Sequence, residues 1–316
     1  MRSDGAVVVA IGGNALIRDE HHASILDQYE AVRDLAPTLA ALAAGDHPLV
    51  VTHGNGPQVG FILRRSELAA NELATVPLDY AVGDTQGAIA HMFLVALRNA
   101  FAAAGVSRPV VALVTETLVD EDDPAFRAPA KPIGAAFDET TARSHAATFG
   151  WTVASDPPRG WRRVVASPDP VEILELEQIR ALLATGAVVV ACGGGGIPVV
   201  RGRDGALRGI EAVVDKDLVS ALLADGLDAS ALVITTSVER VAQHYGTPAQ
   251  RWLDELTTTD AAALLAAGEF PPGTMQPKVE ALVRYVDAGA DRTGIITSLG
   301  RVADALDGRA GTRFVR

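Results

Sequence analysis

Three apolar runs in this chain end in glycine-rich turns, and helix-like sequence follows each. Val7–Ile11 gives way to Gly12-Gly13-Asn14, and Leu49–Val51 passes through Thr52-His53 to Gly54-Asn55-Gly56. Ala187–Ala191 passes through Cys192 to Gly193-Gly194-Gly195-Gly196. Each run has the length and composition of a strand buried on both faces, as in a parallel sheet. A strand that stops in glycine leaves bare backbone N–H groups at the mouth of the sheet, where they can cradle an oxyanion. Tight βα corners need glycine anyway, so one such turn says little. Three of them, with a lysine in an acidic segment further on, point to phosphate. The four-glycine run costs chain entropy on folding, so something must approach its backbone closely.

The order of elements supports the parallel sheet. After Val7–Ile11 the pattern predicts a helix near Ile25–Ala44, strand Leu49–Val51, and a helix opening at Gln58. A helix from about Thr85 to Ala104 and strand Pro109–Thr115 follow. Helix Glu175–Ala184, strand Ala187–Ala191, helix Lys216–Leu223 and strand Ala231–Thr235 continue the alternation. Helices Thr258–Ala266 and Pro277–Ala288 and strand Gly294–Ser298 close it. This is an α/β chain with an open, mostly parallel, helix-covered sheet. Between Val119 and Pro170 the texture changes, with clustered proline, aspartate and arginine and two of the three tryptophans, Trp151 and Trp161. That stretch, approximately 119–170, is expected to be a small inserted subdomain or lid in a domain otherwise covering 1–316.

Composition narrows the partners. A formal net charge of −12 argues against nucleic acid and against an anionic membrane surface. The single cysteine, Cys192, excludes an intrachain disulfide, and the first apolar run is too short for a signal-peptide core or a membrane span. A cytoplasmic protein is the expectation. His21-His22 has no spaced partners, so no metal site is expected. His53 adjoins a phosphate-type turn and reads as structural or substrate-orienting rather than as a general base. Neither a Walker-type lysine loop nor a Gly-x-Gly-x-x-Gly opening the first helix is present, which disfavours a dinucleotide-binding dehydrogenase.

The lysines carry the sharpest signal. Of 27 basic residues only Lys131, Lys216 and Lys278 are lysine, so each is a candidate for a specific task. Lys216 lies in Asp215-Lys216-Asp217, which reads as a helix start capped by Asp215 or as a lysine at a transferring phosphoryl group, oriented by Asp217. Phosphoryl transfer asks mainly for positioned positive charge and backbone donors. Lys278 follows Gly273-Thr274-Met275-Gln276-Pro277 and so projects from a helix N-terminus, where a cation opposes the helix dipole unless an anion sits between them. Lys131, in Lys131-Pro132-Ile133-Gly134, reads as a solvated lysine or as a cation reaching in from the inserted segment.

These motifs in this order resemble the carbamate kinases, members of the amino acid kinase fold family. The resemblance rests on Ile11-Gly12-Gly13-Asn14-Ala15-Leu16, Thr52-His53-Gly54-Asn55-Gly56-Pro57-Gln58-Val59-Gly60, Pro77-Leu78-Asp79 and Gln86-Gly87. It continues through Lys131-Pro132-Ile133-Gly134, Gly160-Trp161-Arg162-Arg163-Val164-Val165, Gly193 to Pro198, Glu211 to Asp217 and Pro277-Lys278-Val279-Glu280-Ala281. It implies reversible phosphoryl transfer between carbamoyl phosphate and ADP, giving ATP and carbamate, with Mg²⁺. It also implies a homodimer, helices on both faces of the sheet, and a small protruding subdomain over the carbamate side. Lys216 and Lys278 would contact the transferring and nucleotide phosphates, Asp217 would organise them, and Lys131 would reach in from the lid. Gly12, Gly13, Asn14, Gly54, Asn55 and Gly56 would bind the carbamoyl phosphate end. Gly194, Gly195, Ser237, Val238, Tyr245 and Met275 would join Lys216 and Lys278 at the nucleotide.

The chain departs from the family pattern in three places. Thr236-Ser237-Val238 stands where Thr-Asp-Val is usual, and Ala242 where Tyr is usual, both in the expected nucleoside pocket. Met275-Gln276-Pro277-Lys278 replaces Met-Gly-Pro-Lys. Tyr80 to Thr85 also differs, and Asp84 would bring a negative charge near the acceptor side or the dimer contact. Two alternatives follow: a kinase of this type acting on another small carbamate or carboxylate, or a non-catalytic nucleotide-binding relative.

Overall fold

The computed structural model describes residues 5–316 apart from 18 and 20, and only the backbone of residue 14. Eight strands form the main sheet in the order Glu255–Thr257, Thr312–Val315, Thr293–Ser298, Ala231–Thr236, Val7–Ile11, Leu49–His53, Val188–Val190 and Val110–Ala112. All neighbours run parallel except Thr312–Val315 against Thr293–Ser298.

Alternation along each strand divides the apolar residues between two cores, because successive side chains leave opposite faces. Val8, Ala10, Val50, Val189, Leu232 and Ile234 belong to one core, packed by helices Leu176–Ala184, Lys216–Gly226 and Gln276–Asp287. Val7, Val9, Ile11, Leu49, Val51 and Val233 belong to the other, beneath helices Ile25–Ala43 and Leu78–Ala104. The sheet is therefore covered on both faces, and its first two strands are buried at every residue. Helix Leu78–Ala104 is long and apolar enough to cross a membrane by length and composition alone. Here it packs Ile89, Phe93 and Leu97 into the second core.

Register places the turns together. Ile11 pairs with His53, Ala10 with Ile234, and Val51 with Val190, so Gly12, Gly54, Thr235 and Gly193 all follow at the carboxyl edge of the sheet. That edge is where open α/β sheets bind ligands.

Beside the main sheet, the described residues form a four-stranded sheet, a three-stranded sheet and a two-stranded hairpin. Leu207–Gly209, Ile197–Arg201, Glu116–Val119 and Pro170–Ile173 form the first. Val119 pairs with Pro170, so the chain leaves this sheet and returns at the same point. Between these positions, Lys131–Phe137, Gly160–Val165 and Thr152–Asp156 form a three-stranded sheet with helix Glu139–Phe149 against it.

Several element bounds differ from the sequence reading. The helix expected from Thr85 starts at Leu78, directly after Pro77, whose extended conformation opens the first turn. Gly83 lies inside that helix, where a Cβ would press on Ile197 Cδ1 at 3.3 Å. The run Pro109–Thr115 yields only strand Val110–Ala112, because Thr115 leaves the ladder to bond Gln86. The antiparallel strand Thr312–Val315 and the hairpin of Val241–Gln243 with Arg251–Leu253 were not expected from the sequence, although Gly311 and Gly246 mark their turns.

Candidate active site

A cavity of about 710 Å³ opens at the carboxyl edge of the main sheet. The Gly12-Gly13 and Gly54-Asn55-Gly56 turns, the end of strand Ala231–Thr236 and the first turns of helices Lys216–Gly226 and Gln276–Asp287 line it. All three lysines of the chain line this cavity.

Two aspartates hold them. Asp215 caps helix Lys216–Gly226, its Oδ1 accepting the Asp217 N–H at 2.9 Å. Its Oδ2 accepts Lys131 Nζ, also at 2.9 Å. Asp217 is buried and lies between two cations: Oδ1 accepts Lys216 Nζ in a short contact, and Oδ2 accepts Lys278 Nζ at 2.8 Å. Burial acts to raise the Asp217 carboxyl, but Lys216 and Lys278 outweigh it and hold it at about 2. For Lys216 burial prevails and lowers the ammonium below its ordinary value, with Asp217 opposing. The conflict expected at Lys278, a cation at a helix N-terminus, is resolved by the chain's own Asp217 carboxylate.

The glycine turns meet in the same place. A Cβ on Gly54 would stand 2.6 Å from Gly13 N and 2.7 Å from Gly13 Cα, so the two turns touch backbone to backbone. In the four-glycine run the close approach comes from the protein itself. Gly194 has φ +69° and packs on the Asn55 amide, and Gly195 has φ +93° with the Val214 carbonyl against it. Gly194 lines the cavity and Gly195 lies behind it, so the run mainly fits the neighbouring loops together.

A buried polar network supports this floor. Gln86 Nε2 donates to the carbonyls of Thr115 (3.0 Å) and Gly193 (3.1 Å), and its Oε1 accepts the Thr115 N–H at 2.8 Å. Asn55 Nδ2 donates to Thr85 Oγ1 at 2.8 Å. His53 is buried, stacked on Phe93 with ring centroids 5.6 Å apart, and Nδ1 donates to the Gly54 carbonyl at 3.2 Å. Burial pushes its pKa down to about 4, and Lys216 adds to this despite the Gly54 bond. A neutral ring packed under the turn is structural, one of the two roles its sequence position allowed. Cys192 is buried and its thiol is pushed up to about 12, so it is a packing residue and not a nucleophile.

The structure brings together Gly12, Gly13, Gly54, Asn55, Gly56, Lys131, Gly194, Lys216, Asp217, Ser237, Val238, Tyr245, Met275 and Lys278 on one cavity. Gly195 is not among its lining residues. Asn14 sits in the short turn after Gly12, and its side chain lies outside the described residues. Asp84 is exposed on its helix and does not line the cavity. Ser237 and Ala242 line it in the company of Tyr245, Phe270, Pro271 and Met275. Sequence reasoning missed Asp215 as the partner of Lys131, and also Arg240 and Phe270. Arg240 pairs with Asp254 at 3.0 Å across the open end of the hairpin in which Val241 pairs with Leu253.

The amino acid kinase family matches residues 5–298. The chain belongs to the amino acid kinase family. Within that family it is similar to the carbamate kinase of Thermococcus kodakarensis, 42% identical over 313 residues that cover 98% of this chain and 99% of the relative. The carbamate kinase-like protein YahI of Escherichia coli is 44% identical over 313 residues, 98% of each chain. Among solved structures, carbamate kinase from Giardia lamblia bound to AMP-PNP superimposes with a TM-score of 0.91 at 37% identity, covering 99% of both chains.

Proposed function

We propose that this protein is a carbamate kinase in activity, transferring a phosphoryl group reversibly between carbamoyl phosphate and ADP. The observation that carries the reading is the convergence of the chain's only lysines on one cavity, each held by Asp215 or Asp217. The bond between phosphorus and the carbamate oxygen breaks, and a bond from a terminal phosphate oxygen of ADP to that phosphorus forms. Carbamate leaves, and no proton need be taken from the attacking phosphate oxygen. Lys216 and Lys278 offset the charge on the transferring group and the nucleotide phosphates, and Asp217 keeps the two ammonium groups in register. Lys131 serves the acceptor end with Gly12, Gly13, Gly54, Asn55 and Gly56, and Asn14 would join them. Gly194, Ser237, Val238, Tyr245 and Met275 face the nucleotide. Asp215 and Asp217 are committed to lysines, so Mg²⁺ would enter on the phosphates of the nucleotide, where it neutralises their charge. The inserted segment of approximately 119–170, which brings Lys131, acts as a subdomain over the acceptor end. Cytoplasmic location, homodimeric assembly and a place in arginine-derived carbamoyl phosphate metabolism complete the reading.

The departures from the family pattern bear on this choice. Ser237 and Ala242 line the cavity beside Tyr245 and Phe270, on the side we assign to the nucleoside, while Asp84 lies off the cavity. They therefore alter the grip on adenosine and leave the acceptor end intact. Mixing the protein with ADP, Mg²⁺ and carbamoyl phosphate and following ATP by coupled luminescence tests the reading. Sustained ATP formation is expected. A folded protein that binds ADP and makes no ATP would move the assignment to another acceptor.

A further inference from the structure

We propose that Asp215 is a positioning residue that holds Lys131, and with it the edge of the small sheet, over the phosphoryl-transfer cavity. The inference rests on the reading of that cavity given above. One carboxylate has two duties here. Oδ1 caps the helix that carries Lys216 and Asp217, and Oδ2 accepts Lys131 Nζ from the first residue of strand Lys131–Phe137. The side chains are 31% and 14% exposed, so the pair sits at a partly shielded rim.

The segment leading into Asp215 meets the small sheet at further points. Arg163 Nη2 donates to Glu211 Oε2 at 3.0 Å, and the Val213 N–H donates to the Ala166 carbonyl at 3.0 Å. Residues 211–215 therefore connect the small sheet directly to the helix with the buried lysine and aspartate. An apolar cluster of Ile133 and Val165 with Val59, Leu63 and Leu78 seats the sheet on its neighbouring helices. It does not reach the Lys131 ammonium, whose polar contact among the described residues is Asp215.

An ammonium has three donors. Asp215 takes one, which leaves two for an anionic oxygen in the cavity. Without the acid, the substrate must itself order a long side chain and bear the loss of its rotamer freedom. Asp215 thus does for Lys131 what Asp217, two residues on, does for Lys216 and Lys278.

Asp215→Asn tests this, because asparagine caps a helix as well as aspartate but turns an amide toward the ammonium or loses the cap. The expected result is a rise of about tenfold in KM for carbamoyl phosphate with KM for ADP unchanged. Because Asp215 acts through Lys131, adding Asp215→Asn to Lys131→Ala should cost nothing further. A KM at the parent value, or a double variant clearly worse than Lys131→Ala, overturns the assignment. Labelling with an amine-reactive ester, mapped by mass spectrometry without substrate, reads the contact independently of the reaction. Lys131 should react several-fold faster in Asp215→Asn, and this holds even if carbamoyl phosphate is not the substrate. Unchanged Lys131 reactivity overturns the proposal.

Discussion

The carboxyl edge of the main sheet and the small three-stranded sheet both contribute lysine to the same cavity, yet they are built differently. At the main edge, strands buried at every residue end in turns that touch through their backbones, and Lys216 and Lys278 share a buried carboxylate. The small sheet has partly exposed strands and a cluster of rings, with His145 in edge contact with Phe137, Phe149 and Trp151. Its lysine is held by one rim carboxylate. The difference shows where each kind of precision is needed. On the proposed function, the charge that stabilises the transferring phosphoryl group would be fixed by the main edge, while the charge for the second substrate would stand on the smaller sheet.

Loss of a cation from the main edge should have the largest effect. Lys278→Ala is expected to lower turnover about 100-fold, since one charged donor at a developing phosphoryl charge is worth about 3 kcal/mol. Steady-state kinetics with both substrates checks this; a loss below tenfold would place Lys278 outside the reaction.

The same edge should set the response of stability to acid. His53 is neutral in the fold down to about 4, whereas the unfolded chain takes up that proton near 6.5. Between those values the unfolded state binds more protons, so stability falls as pH falls from about 6.5 to about 4, by up to roughly 3 kcal/mol. Urea unfolding of the parent and of His53→Gln across this range measures it. The variant should lose that part of the slope, and an unchanged slope would remove His53 as its source.

The small sheet should yield smaller and more local effects. Trp151→Ala removes a ring stacked on Phe149 and lying under Arg163, and should cost about 2 kcal/mol. ADP affinity should remain at the parent value by calorimetry, because the residues proposed for the nucleotide lie away from the small sheet. Arg143→Ala, which breaks an exposed pair with Glu139 and a contact over Trp161, should cost no more than about 1 kcal/mol in thermal unfolding.

The main edge was also the more legible of the two in the sequence. Continuous apolar runs mark doubly buried strands, Gly54 marks a backbone contact that a side chain would obstruct, and Gly194 marks a close approach of the Asn55 amide. The rarity of lysine singled out Lys131, Lys216 and Lys278 before any geometry was known. What could not be read was who meets whom. Asp215 gave a clear cap signal, but its contact with Lys131 depends on a sheet inserted 84 residues earlier. Lys278 called for an anion at its helix, and the resemblance alone, not the local pattern, pointed to Asp217, which the fold places against it. The glycine run called for a close neighbour, and the neighbours are Asn55 and Val214. Strand Thr312–Val315 joins the main sheet antiparallel; Gly308 and Gly311 punctuate its start, but they do not say which strand it pairs with.

The most direct test of the account is single-turnover transfer from labelled carbamoyl phosphate to bound ADP, comparing the parent with Lys216→Ala after circular dichroism shows both folded. The account predicts that label passes to ATP in the parent and about 100-fold more slowly in the variant. Transfer at the parent rate without Lys216 would contradict it.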